Sequence, residues 1–315
     1  MQRMPGIRNI EAAHRRIASR AHLTPVLHSR SIDALAGCRV LFKCENLQRS
    51  GSFKYRGALN AVLSLSPARR AAGVATHSSG NHGAALACVA QQLGVPATIV
   101  VPRGGSPFKR AAIRRYGAHR VDCGSTLASR QRALDEVVLA NGASFIPPYD
   151  HAAIVSGQGT VALEIVDQCA TVDEVWVPVG GGGLAGGTVV AVGDRVQVIG
   201  AEPILAGDAW ASLQSGVRQS AMPPRTIADG LRTSLGELNF RILADYDLPI
   251  KLVSEQAIID AQMLMMSCLK VIVEPSSAVP LAALLAEGPH DAASEQVVVV
   301  ISGGNLDPAG LTGLA

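Results

Sequence analysis

The residues best suited to chemistry begin with a lysine at the predicted start of a helix. Lys54 lies in "GSFKYRGALNAV" and is one of only five lysines in the chain. At a helix N-terminus, the positive end of the helix dipole disfavours the ammonium ion and favours the neutral amine. A neutral amine attacks a carbonyl carbon, so this position predicts a nucleophile that forms a Schiff base with an aldehyde.

A run of four glycines supplies a second part of the site. A β-branched strand in "EVWVPV" leads into the glycines, and a helix follows them. Backbone N–H groups at such a turn form a cradle for an anion. The motif lacks the GK[ST] ending of a nucleotide-binding P-loop, so we expect a phosphate group without triphosphate chemistry. The predicted phosphate ligands are Gly180, Gly181, Gly182 and Gly183.

Two further motifs complete the set. "THSSGNHGAALA" joins a strand end to a helix start, and its hydroxyl, amide and N–H donors suit a carboxylate. "VVVVISGGN" is a buried strand ending at Ser302, whose neutral hydroxyl can meet a ring nitrogen. An amine, a phosphate cradle and a carboxylate pocket together predict pyridoxal phosphate as the cofactor and an amino acid as the substrate.

The glycine run also permits a different interpretation. Gly181, Gly183 and Gly186 satisfy the GxGxxG pattern, and Glu202 ends the next predicted strand about 20 residues later, as in dinucleotide-binding folds. A nicotinamide-dependent oxidoreductase is therefore one alternative, and a ligand-binding protein without catalysis is another. The lysine and the carboxylate pocket favour pyridoxal phosphate, because a nicotinamide site needs neither.

The segments that must position these residues alternate between strand-like and helix-like patterns. This alternation predicts an α/β fold with parallel sheets and crossover helices. A β-α-β-α-β series from about residue 71 to residue 141 predicts an inserted smaller domain. We therefore expect a discontinuous large domain of residues 1–69 and 146–315, a small domain of residues 70–145, and a ligand cleft at the carboxyl ends of the strands.

Composition narrows the class of protein. A net charge of +3 and an aromatic content of 3% argue against nucleic-acid binding. The six cysteines include no CxxC pair, so neither a disulfide framework nor a zinc ribbon is predicted. The sequence shows neither a bilayer-spanning apolar stretch nor a signal-peptide pattern, so we expect no membrane association and a cytoplasmic location.

Together the motifs resemble those of the fold-type II pyridoxal phosphate enzymes, which share the tryptophan synthase β-like fold. Within that group they are similar to the serine/threonine dehydratase and serine racemase branch. The resemblance covers nearly the whole chain and follows the family's order, including "GSFKYRGALNA", "HSSGNHGAALA", "SGQGTVALEI", "VPVGGGGL", "TIADGL", "VEPSSAVPLAA" and "SGGN". It implies two open, twisted parallel-sheet domains with the cofactor in the cleft between them.

The resemblance also implies a role for each motif residue. Lys54 would carry the cofactor and exchange the α-proton of the substrate, with Ser79 as a second acid/base on the opposite face. Phe53 would pack against the cofactor ring, Asn81 would bind its phenolic oxygen, and Ser302 would meet its ring nitrogen. The substrate pocket would contain Ser78, Ser79, Asn81 and His82, with Gly230 and Glu274 close by.

The implied activity is dehydration of L-serine or L-threonine to a 2-oxo acid and ammonia, with serine racemisation alongside it, in a homodimer. "EPSSAVPLA" is also similar to L-threo-3-hydroxyaspartate ammonia-lyases, and Arg130 could bind the second carboxylate of that substrate. "AEPILAGD" resembles a divalent-cation motif, which implies Mg²⁺, or Ca²⁺ or Mn²⁺. The implied cation ligands are Glu202, the Ala206 carbonyl oxygen and Asp208. Tyr55 departs from the smaller residue that often follows the lysine in this family.

Overall fold

Two β-sheets with flanking helices make up the described part of the chain. The structure, a computed structural model, describes residues 2–78, 80–103, 107–220, 225–289 and 296–307. The larger sheet contains β1 (Val26–His28), β2 (Arg39–Cys44), β7 (Glu174–Pro178), β8 (Gln197–Pro203), β9 (Ile250–Val253) and β10 (Gln296–Ile301), in the order β1-β2-β10-β7-β8-β9. The smaller sheet contains β3 (Val74–His77), β4 (Ala97–Pro102), β5 (His119–Cys123) and β6 (Ser144–Phe145), in the order β5-β4-β3-β6.

Helices connect the strands. They are α1 (Ile7–Ile17), α2 (Arg30–Ala36), α3 (Lys54–Leu63), α4 (Pro67–Ala71), α5 (Asn81–Leu93), α6 (Pro107–Arg115), α7 (Leu127–Asn141), α8 (Ala152–Gln168), α9 (Gly183–Val192), α10 (Asp208–Ser215), α11 (Glu237–Asp245), α12 (Glu255–Leu269) and α13 (Pro275–Ala286). All strand pairs of the smaller sheet are parallel. The larger sheet is parallel except at its edge, where β1 runs antiparallel to β2.

The larger sheet is buried on both faces. Alternate residues of β10 point to opposite sides of the sheet, as the period of a strand requires. Val298 and Val300 belong to the core shared with α8, α9 and α11. Val297 and Val299 belong to the core shared with α2, α12 and α13. Burial on both faces explains the uninterrupted apolar run "VVVVI", which is typical of a central parallel strand.

The predicted α/β fold is confirmed, and the predicted β-α-β-α-β series is present as β3, α5, β4, α6 and β5. The short edge strand β1 was not predicted. The four strands of the smaller sheet all lie between residues 74 and 145, whereas the larger sheet takes strands from both sides of that segment. The domain boundaries at residues 69/70 and 145/146 stay a prediction. Within the described ranges, the helices are too short or too polar to cross a lipid bilayer.

Candidate active site

Lys54 is the first residue of α3, as the sequence predicts. The loop before it pairs with the loop that follows β10. Phe53 N donates to Ser302 O at 3.0 Å, Gly304 N donates to Gly51 O at 3.0 Å, and an antiparallel bridge joins Ser52 to Gly303. The lysine loop and the "SGGN" loop are therefore held together by main-chain hydrogen bonds, independently of their side chains.

The amine of Lys54 lies in a partly enclosed site. Its Nζ donates to Pro148 O at 2.8 Å and lies 5.1 Å from the ring centroid of Phe53 and 5.8 Å from that of Tyr149. Burial lowers the pKa of Lys54 from 10.5 to about 8, although the carboxylate of Glu274 opposes this shift. A substantial fraction of the amine is therefore neutral near physiological pH, which is the form that attacks an aldehyde.

A buried ionic network anchors the helix that carries this lysine. Arg56, two residues into α3, pairs with Glu45 at 2.8 Å and with Glu164 of α8 at 2.6 Å. Lys43 of β2 pairs with Glu164 at 2.6 Å. Two cations and two anions are thus satisfied together inside the protein, as buried charges require. The network fixes α3 against β2 and α8. It therefore also fixes the position of Lys54 at the start of α3.

Tyr55 provides a second attachment for the same helix. Its side chain is fully buried, and its hydroxyl donates to Gln92 in α5. Since α5 packs on the smaller sheet, this bond ties the lysine helix to the other half of the molecule. Tyr55, which departs from the family pattern, is therefore accommodated because its phenol is buried and hydrogen-bonded.

The four glycines form a buried turn between β7 and α9. Gly182 has φ +83°, a left-handed conformation that favours glycine. Among the described residues, the N–H groups of Gly180–Gly183 meet no protein acceptor. Buried N–H groups normally have partners, so four unpaired ones at a helix N-terminus fit the oxygens of a bound phosphate.

A short strap of three residues, Pro148, Tyr149 and Asp150, connects the parts of the site. The carbonyl of Pro148 accepts from the lysine, and the Tyr149 ring covers Gly181, where an added Cβ would lie 2.3 Å from the ring. The Tyr149 hydroxyl accepts a hydrogen bond from Thr233 at 2.9 Å. The Asp150 carboxylate accepts from the first N–H groups of α11, including that of Leu238 at 3.0 Å.

The "SSGNHG" turn has well-defined side-chain partners. Asn81 Nδ2 donates to Glu274 at 2.7 Å, and its Oδ1 accepts from Asn305 at 2.9 Å. His82 is buried, and its Nε2 lies 2.9 Å from Ile146 O, which assigns the ring proton to Nε2. Burial lowers the pKa of His82 to about 3, with the charge of Lys54 adding to the effect. The imidazole is therefore neutral and keeps an acceptor lone pair on Nδ1.

The remaining residues of this turn differ in what the structure describes. Ser78 Oγ accepts from Gly80 N at 3.4 Å and shapes the turn itself. Ser79, predicted as the second acid/base, lies outside the described residues. Gly230 borders the glycine turn, since its carbonyl oxygen would lie 3.5 Å from a Cβ added at Gly180.

Ser302 lies buried just after β10. Its Oγ is 3.0 Å from Oγ of Ser277 in α13. No carboxylate is among its hydrogen-bond partners in the described part of the chain. A neutral hydroxyl pair at this position supplies no negative charge to a ring nitrogen.

Arg130 lies in α7 and bonds to the loop before that helix. Its Nη2 donates to Ser125 O at 3.0 Å, while its buried Nε has no hydrogen-bond partner within the described ranges. The nearby guanidinium also contributes, after burial, to lowering the pKa of His77, the last residue of β3. Arg130 is therefore close to the end of the strand that leads into Ser78.

Two of the predicted cation ligands, Glu202 and Asp208, are buried and near each other, since the charge of Asp208 acts on Glu202. Glu202 is fully buried, and its carboxylate accepts from Ala209 N and Trp210 N at 3.2 and 2.7 Å. Burial raises the pKa of Glu202 to about 8, and the nearby Asp208 contributes to this shift. Burial also raises the pKa of Asp208, while the nearby Arg218 guanidinium opposes this shift. No group of three or more Asp, Glu, His or Cys side chains is placed for metal binding in the described residues.

Sequence reasoning missed the Pro148 carbonyl and the side chains of Tyr149 and Asn305. Tyr149 contacts the glycine turn, which lies more than 30 positions later in the sequence. Asn305 contacts Asn81, which lies more than 220 positions earlier. The turn-rich segment "FIPPYDHAA" and the last residue of "SGGN" were the available signals. Neither sequence pattern indicates which residues its side chains contact, because these long-range contacts depend on how the two sheets pack.

The fold and the site define a pyridoxal phosphate enzyme. The chain matches the family described as "Pyridoxal-phosphate dependent enzyme" over residues 18–303 and belongs to it. The family membership and the lysine site favour pyridoxal phosphate over the dinucleotide alternative.

Three relatives indicate the branch. The chain is 39% identical to a beta-hydroxyaspartate dehydratase of Paracoccus denitrificans (strain Pd 1222), over 96% of this chain and 97% of that protein. Its fold matches that of maize serine racemase with a TM-score of 0.95 and 38% identity, covering 99% and 97% of the two chains. It also matches the T.th. threonine deaminase with a TM-score of 0.90 and 42% identity, covering 96% and 99%.

Proposed function

We propose that this chain is an ammonia-lyase that converts L-serine or L-threonine to a 2-oxo acid and ammonia, with racemisation of serine as a second activity. The observation that carries the proposal is the amine of Lys54, whose lowered pKa leaves it partly neutral. Its Nζ lies 5.8 Å from the centre of the Tyr149 ring, which covers the turn of four unpaired N–H groups. The relatives named above act in this group of reactions, as their names state.

Lys54 is the proposed base. Pyridoxal phosphate, once linked to the substrate amine, stabilises negative charge at the α-carbon. The amine of Lys54, free once the substrate has taken its place, would take the α-proton. The β-hydroxyl would leave with a proton as water, and a water molecule would then hydrolyse the resulting enamine to the 2-oxo acid and ammonia. The Pro148 carbonyl, which accepts from Nζ at 2.8 Å, holds the amine near this position. Return of a proton from the opposite face, which we assign to Ser79, inverts the substrate instead.

The other residues bind and orient. We infer that Gly180–Gly183 hold the phosphate, Phe53 packs on the ring and Asn81 donates to the phenolic oxygen. Ser302 meets the ring nitrogen, where the absence of a carboxylate partner among the described residues favours elimination or proton exchange over transamination. The substrate carboxylate is assigned to the turn that contains Ser78, Ser79, Asn81 and His82.

L-threo-3-hydroxyaspartate is the second candidate substrate. The observation that favours it is the buried Nε of Arg130, an N–H donor without a partner in the described residues. A second carboxylate on the substrate would satisfy this donor and pair with the guanidinium. The similarity to a beta-hydroxyaspartate dehydratase is in line with this alternative.

We also infer a divalent cation at Glu202, the Ala206 carbonyl and Asp208. Asp208 Oδ2 accepts from Leu235 N at 2.8 Å, and the next residue, Gly236, donates to the carbonyl of Gly181. A cation that fixes Asp208 would therefore also steady the glycine turn. We expect Mg²⁺ to tighten cofactor binding through this connection.

A homodimer in the cytoplasm completes the proposal. Leu23, Leu47 and Ile272 expose apolar side chains on neighbouring segments, since His22 bonds to the carbonyl of Leu47 and Asn46 to that of Ile272. Clustered exposed apolar groups of this kind commonly mark an interface. Light scattering on the purified protein should give twice the chain mass.

The decisive experiment combines cofactor and substrate. The purified protein should be yellow, borohydride should fix the cofactor to Lys54 in a peptide mass map, and Lys54→Ala should lose both properties. Release of 2-oxo acid and ammonia is then measured from L-serine, L-threonine and L-threo-3-hydroxyaspartate, with and without Mg²⁺. Turnover of hydroxyaspartate alone would replace our first choice of substrate, and no ammonia from any of the three would refute the lyase.

Arg130 separates the two substrate classes. Arg130→Met should lower kcat/KM for hydroxyaspartate at least about tenfold, the effect of losing a charge-assisted contact, and should spare L-serine. Arg132→Met, an exposed arginine on the same helix, is the matched control. An equal loss with both substrates would assign Arg130 to the protein's own packing instead.

A further inference from the structure

Asn305, the last residue of "SGGN", joins two segments of the site through its side-chain amide. Its Nδ2 donates to Ser50 O at 2.8 Å and to Oδ1 of Asn81 at 2.9 Å. Asn81 Nδ2 in turn donates to Oε1 of Glu274 at 2.7 Å. The bonds form a chain that runs from a main-chain carbonyl, through two amides, to a carboxylate.

The groups at the two ends of this series of hydrogen bonds determine which atom donates and which accepts in every bond between them. The Ser50 carbonyl can only accept, so the Asn305 atom beside it must be the NH₂ group. That NH₂ group can only donate, so Asn81 must turn its oxygen towards Asn305. The Asn81 NH₂ group is then left facing the carboxylate of Glu274, with its second N–H available to a ligand.

Asn305 is also fixed against the turn that precedes the lysine. Ser50 and Gly51 have φ of +60° and +76°, two consecutive left-handed residues. A Cβ added at Gly51 would lie 2.4 Å from Asn305 Oδ1, so the amide packs directly on this turn. A non-glycine residue in this conformation is held there by its surroundings, and Asn305 supplies one of the bonds that hold it.

We propose that Asn305 is a positioning residue that keeps the donor face of Asn81 towards the phenolic oxygen of the cofactor. This inference rests on the proposed function, in which Asn81 donates to that oxygen. The phenolic oxygen carries negative charge in the bound cofactor, so an N–H donor attracts it and an amide oxygen repels it. Asn305 thus acts on the cofactor through Asn81 without contacting it.

Two substitutions distinguish orientation from packing. Asn305→Ala removes the restraint on Asn81, which still donates to Glu274. Asn305→Asp keeps the shape but offers only acceptors, so it repels Ser50 O and draws the Asn81 NH₂ group away from the cofactor. We expect the dissociation constant for pyridoxal phosphate to rise about fivefold in Asn305→Ala and about fiftyfold in Asn305→Asp. The absorption band of the bound cofactor should move most in Asn305→Asp.

Asn46→Asp is the matched control, because Asn46 also donates to a main-chain carbonyl nearby, that of Ile272 at 3.1 Å, without touching Asn81. It should leave the dissociation constant and the absorption band unchanged. A packing role for Asn305 would make Asn305→Ala the more harmful variant, and that order would overturn the proposal. So would two Asn305 variants that behave like Asn46→Asp.

A double-mutant cycle covers the case in which Asn305→Asp folds poorly. With Asn81→Ala in place, Asn305→Ala should cost no further cofactor affinity, since its effect passes through Asn81. Additive losses would overturn the proposal. If the wild type binds the cofactor and these variants bind it equally well, only this inference is refuted. If the wild type forms no covalent link between Lys54 and the cofactor, the proposed function itself is refuted.

Discussion

The lowered pKa of Lys54 gives a quantitative prediction about the protein without its cofactor. A shift from 10.5 to about 8 is roughly 2.5 pKa units. At pH 7 the neutral fraction of the amine therefore rises by a factor of about 300, from about 0.03% to about 9%. Burial causes this shift, and the Glu274 carboxylate partly opposes it. Glu274→Gln removes the opposing charge, so the pKa of Lys54 should fall further below 8.

The titration can be followed directly because the chain has only five lysines. Reductive methylation with ¹³C-formaldehyde labels their amines, the spectrum of Lys54→Arg identifies the signal of Lys54, and its chemical shift is recorded against pH. Glu287→Gln, which removes a surface carboxylate that pairs with Lys251, is the control and should leave the Lys54 titration unchanged. A wild-type midpoint near 10.5, or a midpoint that rises in Glu274→Gln, would refute the reasoning.

Three further predictions concern the parts around the lysine. Gly181→Ala should weaken pyridoxal phosphate binding at least about tenfold, because the added methyl would lie 2.3 Å from the Tyr149 ring; unchanged affinity in a fluorescence titration would contradict the contact. Arg56→Met should lower the free energy of unfolding by about 3–5 kcal/mol, since it leaves the buried carboxylate of Glu45 without an ion-pair partner and Glu164 with Lys43 alone, and a urea titration showing less than about 1 kcal/mol would argue against the network. Glu202→Gln should abolish any rise in Tm that Mg²⁺ gives the wild type, and a persisting rise would place the cation elsewhere.

The local elements of the site could be predicted from sequence because each depends on neighbouring residues. The glycine run after a β-branched strand gives the turn before α9, and the lysine after "GSF" gives the start of α3. Both rest on dipoles and glycine conformations that a short window contains. The uninterrupted valines of β10 likewise show a strand buried on both faces.

The contacts between these elements could not be predicted in the same way. The Pro148 carbonyl meets an amine 94 positions earlier, and Asn305 meets Asn81 from 224 positions away. Such contacts depend on how two sheets face each other, which no local pattern contains. The antiparallel strand β1 was missed for another reason: three residues are too few to show an alternation.

The place of β10 has a consequence for how the enzyme is made. This strand lies between β2 and β7 and is the last strand of the described sequence, and the loop after it pairs with the residues that precede Lys54. During translation, the ribosome has delivered the lysine, the glycine turn and most of both sheets before that strand exists. Until the segment around Ser302 has emerged, β2 and β7 lack the strand that joins them, and the residues before Lys54 lack their main-chain hydrogen-bond partners. We therefore expect the vitamin-derived coenzyme to be loaded only after the last strand has been synthesised.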